Sequence, residues 1–358
     1  MSKKIAFLLR DLGEGGAERS SLRLANGFAK RGFAVVLLLF KAEGPMLSSV
    51  HPEAEIVDLK GSFYKLLREL RNRRVDFLLP VYTSMRALMA KALLRTSSFK
   101  VILSQRNMFT MDRGLLQTKL RFLRCRLLYP YAAACVCISQ GVADEMKTLG
   151  LLPPQKIHVI YNAVFTEEIK AQMEEPASHP WFEEGAPPVV LGVGRLGDQK
   201  DFTTLVQAFA LLAKKREDLR LMILGEGKQR AILEALVREL ELTERISLPG
   251  YVPNPYPMMK RAALFVLTSR FEGFGNVVAE ALACGCNVVS VDCPSGPSEI
   301  LDEGKYGRLA KVGDPNNIAR AIEEALSAPL PSDVLKARGA FFSESRAVDG
   351  WCEVLQKI

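Results

Sequence analysis

Twice along this chain a short apolar run gives way to a helix-period pattern and then to another apolar run. That rhythm limits the fold more than any single residue does. IAFLL (5–9) passes through DLGEGGAE into a helical pattern from about Ala17 to Lys30, stopped by Arg31-Gly32, and AVVLLLF (34–40) follows. DFLLPV (76–81), KVILS (100–104), ACVCIS (134–139) and HVIYN (158–162) continue the series. Strands that are apolar throughout and joined by helices predict a parallel sheet covered on both faces. Residues 166–187, acidic and proline-containing, interrupt the rhythm and read as a linker. PVVLGVGR (188–195), RLMILGEG (220–227), ISLPG (246–250), ALFVLTS (263–269) and NVVSVD (287–292) then restart it. The chain reads as two doubly wound, Rossmann-like α/β domains in tandem, 1–165 and 188–339. A helix at about 340–358, carrying Trp351, is expected to pack back on the first domain. Such sheets bind ligands at the carboxyl ends of their strands, so two facing domains predict an interdomain cleft.

Composition removes several classes. A length of 358 residues suits two domains. No apolar run approaches the roughly 20 residues that cross a bilayer. MSKKIAFLLRD has a charged start and only five apolar residues, so it reads as a first strand rather than a signal peptide. The seven cysteines lie mostly in apolar runs and include no C-x-x-C pair, which predicts buried thiols in a reducing cytoplasm. His51, His158 and His179 are scattered, against a zinc site built by the protein. Residues 1–165 hold 26 Lys and Arg against 12 Asp and Glu, while the chain as a whole carries +8, so the remainder is acidic. A basic half suits an anionic partner, or is simply a solvated face. No nucleic-acid recognition motif accompanies the charge.

Three loops have the composition of phosphate sites. Gly13-Glu14-Gly15-Gly16 is not G-x-G-x-x-G, and no acidic ribose partner follows it, which argues against an NAD-type oxidoreductase. Gly16 still permits close backbone approach at the positive end of a helix. In VLGVGRLGDQKDFTTL, Arg195 leaves a strand and Lys200 precedes a helix that Asp201 or Thr203 can cap. Two cations there suit a diphosphate, or a solvated loop paired with Asp198 or Asp201.

The third loop is RFEGFGN (270–276). It places Glu272 at a strand's carboxyl end. Asn276 is the expected N-cap of a helix over Val277–Ala283, ended by Gly285. Glu280 then falls on an apolar helix face. A carboxylate buried without donors costs several kcal/mol, so Glu280 calls for a partner that its uncharged neighbours do not supply. Vicinal ribose hydroxyls have the right spacing.

Glu272 to Glu280, with Gly273-Phe274-Gly275-Asn276 between them, resembles the E-x7-E motif of the retaining nucleotide-sugar glycosyltransferases of family 4, which have the GT-B fold. Gly194-Arg195-Leu196 with Gln199-Lys200, LGEGKQR (224–230) and GGAER (15–19) resemble other motifs of that family. The GGAER stretch resembles the members that build bacterial surface polysaccharides and lipid-linked oligosaccharides. The resemblance implies an acceptor-binding first domain and a donor-binding second domain. It implies that Glu280 holds the ribose and that Arg195 and Lys200 stabilise the departing diphosphate. It implies that Gly273, Phe274, Gly275, Asn276 and Val277 hold the donor sugar and phosphate, that Glu272 faces the transferred sugar, and that Gly16 meets the diphosphate. It further implies a UDP-sugar co-substrate and no metal, in keeping with the absence of a D-x-D motif. Many relatives carry a histidine where this chain has LSQRNMF (103–109), so Arg106 and Asn107 stand on the acceptor side in its place. The activity implied is retaining transfer of a hexose or N-acetylhexosamine to a saccharide, lipid-linked in capsule, lipopolysaccharide or oligosaccharide assembly. The alternative is a nucleotide-sugar-binding relative without catalysis.

LLQTKLRFLRCRLLYPY (115–131) puts Leu116, Leu120, Leu123 and Leu127 on one face, among Lys119, Arg121, Arg124 and Arg126. That face is either core or a surface for an anionic membrane, which would make this a cytoplasmic, peripheral enzyme.

Overall fold

The computed structural model describes residues 3–13, 15–94, 98–109 and 115–358, with side chains in the last stretch from 119 onward. Glu14 of the first Gly-rich loop and the side chain of Leu116 lie outside the described residues. The chain forms two compact units, residues 1–164 with 344–358, and residues 165–343.

The first unit runs β1 (Lys4–Leu9), α1 (Gly16–Lys30), β2 (Ala34–Leu39), β3 (Glu55–Asp58), α2 (Phe63–Asn72), β4 (Phe77–Pro80), α3 (Ser84–Leu93), β5 (Lys100–Gln105), α4 (Leu115–Leu128), β6 (Ala132–Cys137), α5 (Gln140–Thr148) and β7 (Ile157–Val159). Its strands are parallel in the order β3-β2-β1-β4-β5-β6-β7. Side chains alternate across a strand, so β1 serves two cores. Ala6 and Leu8 pack with Leu66 and Leu70 of α2, Leu88 of α3 and Met146 of α5. Ile5, Phe7 and Leu9 pack on the other face with Leu24 and Phe28 of α1.

The second unit runs α6 (Glu167–Gln172), β8 (Val189–Val193), α7 (Phe202–Ala213), β9 (Arg220–Leu224), α8 (Arg230–Glu239), β10 (Ile246–Gly250), α9 (Tyr256–Arg261), β11 (Leu264–Leu267), α10 (Asn276–Ala283), β12 (Val288–Val291), α11 (Pro297–Leu301), β13 (Arg308–Ala310), α12 (Pro315–Ser327) and α13 (Ser332–Ala340). Its parallel strands follow the order β10-β9-β8-β11-β12-β13. Val190, Leu264 and Val266 join one core with α7, α8 and α12. Leu191, Phe265 and Leu267, of opposite parity, are buried as well.

Residues 166–187 are not a free linker. Thr166 caps α6 by accepting from the Ile169 amide, and Ile169 is buried. Asn254 donates to the Gln172 carbonyl at 3.0 Å, and Lys260 pairs with Glu174 at 2.5 Å. Polar ties to the α9 region thus make this acidic stretch part of the second unit. The final helix, α14, is Glu344–Lys357, and residues from 340 to 343 still belong to the second unit. It lies on α1: a Cβ on Gly27 would stand 2.6 Å from Val348 Cγ2, so glycine lets the helices meet closely. Val348, Trp351 and Leu355 are buried in the first unit's core. Lys30–Glu344 (2.8 Å) and Arg31–Asp349 (2.6 Å) flank the contact, and such partly exposed pairs contribute little.

On α4 the leucine stripe points outward. Leu120, Leu123 and Leu127 are 48, 54 and 66% exposed, while Cys125 on the other side is buried. The helix is therefore seated by Phe122, Cys125 and Leu128 and not by this stripe.

Leu355→Ala removes a buried side chain at the end of α14. It should lower stability by about 2–5 kcal/mol, followed in urea by the fluorescence of Trp351. A loss below about 0.5 kcal/mol, the size of a surface change, would show that α14 is peripheral to the first unit.

Candidate active site

In the second unit the strand order reverses once. From β8 the chain winds toward β9 and β10, whereas β11 leads toward β12 and β13, and β8 and β11 lie side by side. The connections after β8 and β11 therefore run toward opposite edges of the sheet, and the carboxyl ends of strands at such a reversal are where sheets of this kind take ligands. The β8–α7 loop carries Arg195 and Lys200. The β11–α10 loop carries Glu272 to Gly275.

The backbone ties these loops together. Thr268 Oγ1 donates to the Lys200 carbonyl at 2.9 Å, the Arg270 amide to the Gln199 carbonyl at 2.8 Å, and Gln199 Nε2 to the Phe271 carbonyl at 3.0 Å. On this frame Lys200 Nζ stands 2.6 Å from Glu272 Oε1, with side-chain exposures of 16 and 11%. The buried Ser269 hydroxyl donates to the same oxygen at 2.7 Å. A cation and a carboxylate are thus held together in a partly desolvated crevice, where charge-assisted hydrogen bonds are strong. Lys200, read as a diphosphate cation, and Glu272, read as a sugar contact, are direct partners.

A second layer fixes the β8–α7 loop. The Leu196 amide donates to the Glu226 carbonyl and the Gln229 amide to the Leu196 carbonyl, which draws in the LGEGKQR loop after β9. Gly225 sits at φ +142°, and a Cβ there would fall 1.9 Å from the Gly194 carbonyl oxygen, so no side chain fits. Arg195 is exposed and makes no ion pair with Glu272. Asp201 occupies the N-cap of α7 in a left-handed conformation without a side-chain cap bond, and it pairs with Arg270 at 3.3 Å. Asp198 accepts from Gln229 instead of pairing with either cation.

Gly273, Phe274 and Gly275 are buried, while Asn276 and Val277 are partly exposed at the start of α10. The N-cap is Gly275 (φ 93°), not Asn276, because the loop turns through a left-handed residue that glycine takes without strain. Ser295 donates to the Gly273 carbonyl at 3.1 Å, and the Phe274 ring packs edge-on against Phe342 at 5.4 Å. Glu280 is 5% exposed. The Tyr256 hydroxyl of α9 lies 3.4 Å from its Oε1, a long hydrogen bond. The helix neighbours of Glu280 supply no charged partner, as the sequence indicates, but the protein supplies a hydroxyl from α9, 24 residues upstream. Burial, with the Glu272 charge second, pushes the Cys293 thiol up to about 12, so this neighbouring sulfur is no nucleophile at neutral pH.

In the first unit Gly16 opens α1 and is exposed, behind Gly15 as N-cap. Arg106 and Asn107, read together on the acceptor side, diverge. Arg106 is buried and Asn107 exposed. Ser269, Tyr256, Thr268 and Ser295 were not singled out in the sequence. Ser269 is the one with a local signal, a hydroxyl three residues before a carboxylate in a turn. The others act across long stretches of chain.

Residues 14–168 match the model of Glycosyltransferase Family 4, and residues 174–340 match the model of Glycosyl transferases group 1. The chain is 36% identical over 201 residues to the N-acetylgalactosamine-N,N'-diacetylbacillosaminyl-diphospho-undecaprenol 4-alpha-N-acetylgalactosaminyltransferase of Campylobacter jejuni. That alignment covers 56% of this chain and 52% of the relative, about half its length. It is 27% identical over 360 residues, 96% of each chain, to the lipopolysaccharide core biosynthesis glycosyltransferase LpsE of Rhizobium meliloti. Among solved structures it is similar to Anabaena Alr3699/HepE in complex with UDP, with a TM-score of 0.81 at 20% identity over 99% of this chain and 100% of that one. The lipopolysaccharide outer core galactosyltransferase WaaB is similar at a TM-score of 0.75 and 19% identity, over 99% of each chain. These likenesses show the GT-B fold.

Replacing Lys200 by Met, Glu272 by Gln, and both together tests the pair. A double-mutant cycle by chemical denaturation should return a coupling of about 1–3 kcal/mol. A coupling near zero would show that the two side chains do not depend on each other.

Proposed function

This chain belongs to the family 4 glycosyltransferases, and from that premise we propose that it moves a hexose or N-acetylhexosamine from a UDP-sugar to a saccharide acceptor, with retention of anomeric configuration. The observation that carries the reading is the Lys200–Glu272 pair at the strand reversal of the second unit.

In this reading the donor's diphosphate lies along the β8–α7 loop. As the bond from the sugar to phosphate breaks, negative charge grows on the phosphate, and Lys200 with the exposed Arg195 meets it. Preorganised charges of this kind are often the largest catalytic contribution. Glu272 Oε1 already accepts from Lys200 and Ser269, so its second oxygen is the one to receive a sugar hydroxyl. Glu280 receives the ribose hydroxyls, with Tyr256 orienting its carboxylate. The backbone from Gly273 to Val277 lines the sugar and phosphate, and the start of α10 favours negative charge. The acceptor hydroxyl attacks the anomeric carbon from the face the diphosphate leaves, and its proton passes to a phosphate oxygen. No enzymic nucleophile and no metal take part. The two cations supply the charge a metal would otherwise bring.

The names of the curated relatives, a diphospho-undecaprenol glycosyltransferase and a lipopolysaccharide core enzyme, support an acceptor carried on lipid. So does the surface of the first unit. Leu120, Leu123 and Leu127 are exposed on α4, and Met89 and Leu93 on the neighbouring α3. Lys119, Arg124 and Arg126 are exposed on α4 as well. Exposed leucines set among cations suit the surface of an anionic membrane. No helix among the described residues is long and apolar enough to cross one.

Two experiments follow. Incubation with UDP-hexoses and UDP-N-acetylhexosamines and a polyprenyl diphosphate-linked saccharide should give a lengthened product. Lys200→Ala and Glu272→Ala should each cut turnover by about 10²–10³-fold. Bound UDP with no product from any donor would leave only a binding role. Separately, the protein should float with anionic vesicles at low salt, and Leu123→Glu with Leu127→Glu should abolish flotation. Flotation that survives those substitutions would place the membrane contact elsewhere.

A further inference from the structure

One charged group, read from the sequence only as standing on the acceptor side, has no charged partner among the contacts described above. Arg106, just past the end of β5, is 7% exposed. Its Nη1 donates to Ser20 Oγ of α1 at 2.5 Å, a neutral partner. Among the described residues it forms no ion pair, and its Nε has no hydrogen-bond partner at all. Ser104 Oγ, two residues earlier on β5, is likewise buried and unpartnered. Both side chains line one small cavity of about 10 Å³, closed by Ile138, Ile160 and Trp351, and Ser20 lines it too. That volume holds about one water-sized atom.

These facts do not describe a settled structural arginine. A buried donor left unmade costs about 1–3 kcal/mol, and more when charged. A buried cation without a counter-ion costs more again. Burial pulls the Arg106 guanidinium below its ordinary pKa, more than the charges of Tyr82 and Glu18 raise it. A trapped water would satisfy the hydrogen bonds and leave the charge unbalanced. The cavity also lies where the sheet takes ligands: Ser104 and Arg106 close β5, Ile138 follows β6, and Ile160 follows β7.

We propose that Arg106, with Ser104 and Ser20, is a receptor for one anionic oxygen of a substrate phosphoryl group. A tetrahedral phosphoryl group can send a single oxygen into a space of this size while the rest of it stays outside. The guanidinium supplies the charge and Ser104 a second hydrogen bond. The proposal rests on the glycosyltransferase reading for the identity of the substrate, either the donor's diphosphate or a diphosphate-linked acceptor. Its test does not require transfer.

The full chain carrying Arg195→Ala and Lys200→Ala, which removes the cations of the second unit, is the parent. Inorganic pyrophosphate should raise its melting temperature in a dose-dependent way, because a ligand of the native state stabilises it. Adding Arg106→Met should abolish that rise and leave the unliganded melting temperature equal or higher, since an unbalanced charge has gone. Ser104→Ala, a milder change, should weaken the response about tenfold to a hundredfold, within the range of one hydrogen bond to a charged group. Farnesyl diphosphate acting where UDP does not assigns the oxygen to the acceptor, and the reverse assigns it to the donor. An undiminished pyrophosphate response in Arg106→Met, or no response in the parent, overturns the proposal. So does a large loss of stability in Arg106→Met, which would mark Arg106 as a structural residue over a buried water.

Discussion

The adjacency of two parallel strands, β8 and β11, is the constraint on which the site depends. A parallel sheet must send each connection across a face before the next strand can pair. Where consecutive connections leave in opposite directions, the loops part and the polar ends of the strands stay uncovered. Lys200 and Glu272 stand on the two loops that part at this place. Thr268, Gln199 and Ser269, with backbone bonds between the loops, hold them there, so the pair is positioned before any ligand arrives. Preorganised charge of this kind is what the proposed role of Lys200 requires.

The buried polar groups of the chain sort by how they are satisfied. Glu272 is met by Lys200 and Ser269, and Glu280 is approached by Tyr256. Thr268 and Ser295 bond to loop carbonyls that shape the crevice. Arg106 and Ser104 retain buried atoms without partners. Buried polar atoms are nearly always paired in folded proteins. Among the described residues there are three exceptions: Ser104 Oγ and Arg106 Nε line one cavity in the first unit, and Gln229 Oε1 lies in the second unit.

Much of the fold was legible because parallel strands are apolar on both faces. β1, β2, β4, β5 and β6 announce themselves as continuous runs. β3 (Glu55–Asp58) and β13 (Arg308–Ala310) do not, because edge strands are short and carry charge. The stretch from 166 to 187 misled for a similar reason: its acidity reads as linker, yet its Glu174 pairs with Lys260 and its Gln172 carbonyl accepts from Asn254, far along the chain. At the site, local patterns located the two glutamates and the two cations. They did not reveal that Lys200 and Glu272 touch, or that Tyr256 reaches Glu280, since both contacts are made by folding. The leucine stripe of α4 was ambiguous between core and surface, and its packing turns it outward.

The proposed function requires the second unit to grip a uridine nucleotide with the Glu280 carboxylate at the ribose. Isothermal titration of UDP into the wild-type protein and into Glu280→Gln tests it most directly. The account predicts binding in the wild type and an affinity at least about tenfold lower in the variant, the size of one charge-assisted hydrogen bond. An unchanged dissociation constant in Glu280→Gln, with the fold intact, would contradict it.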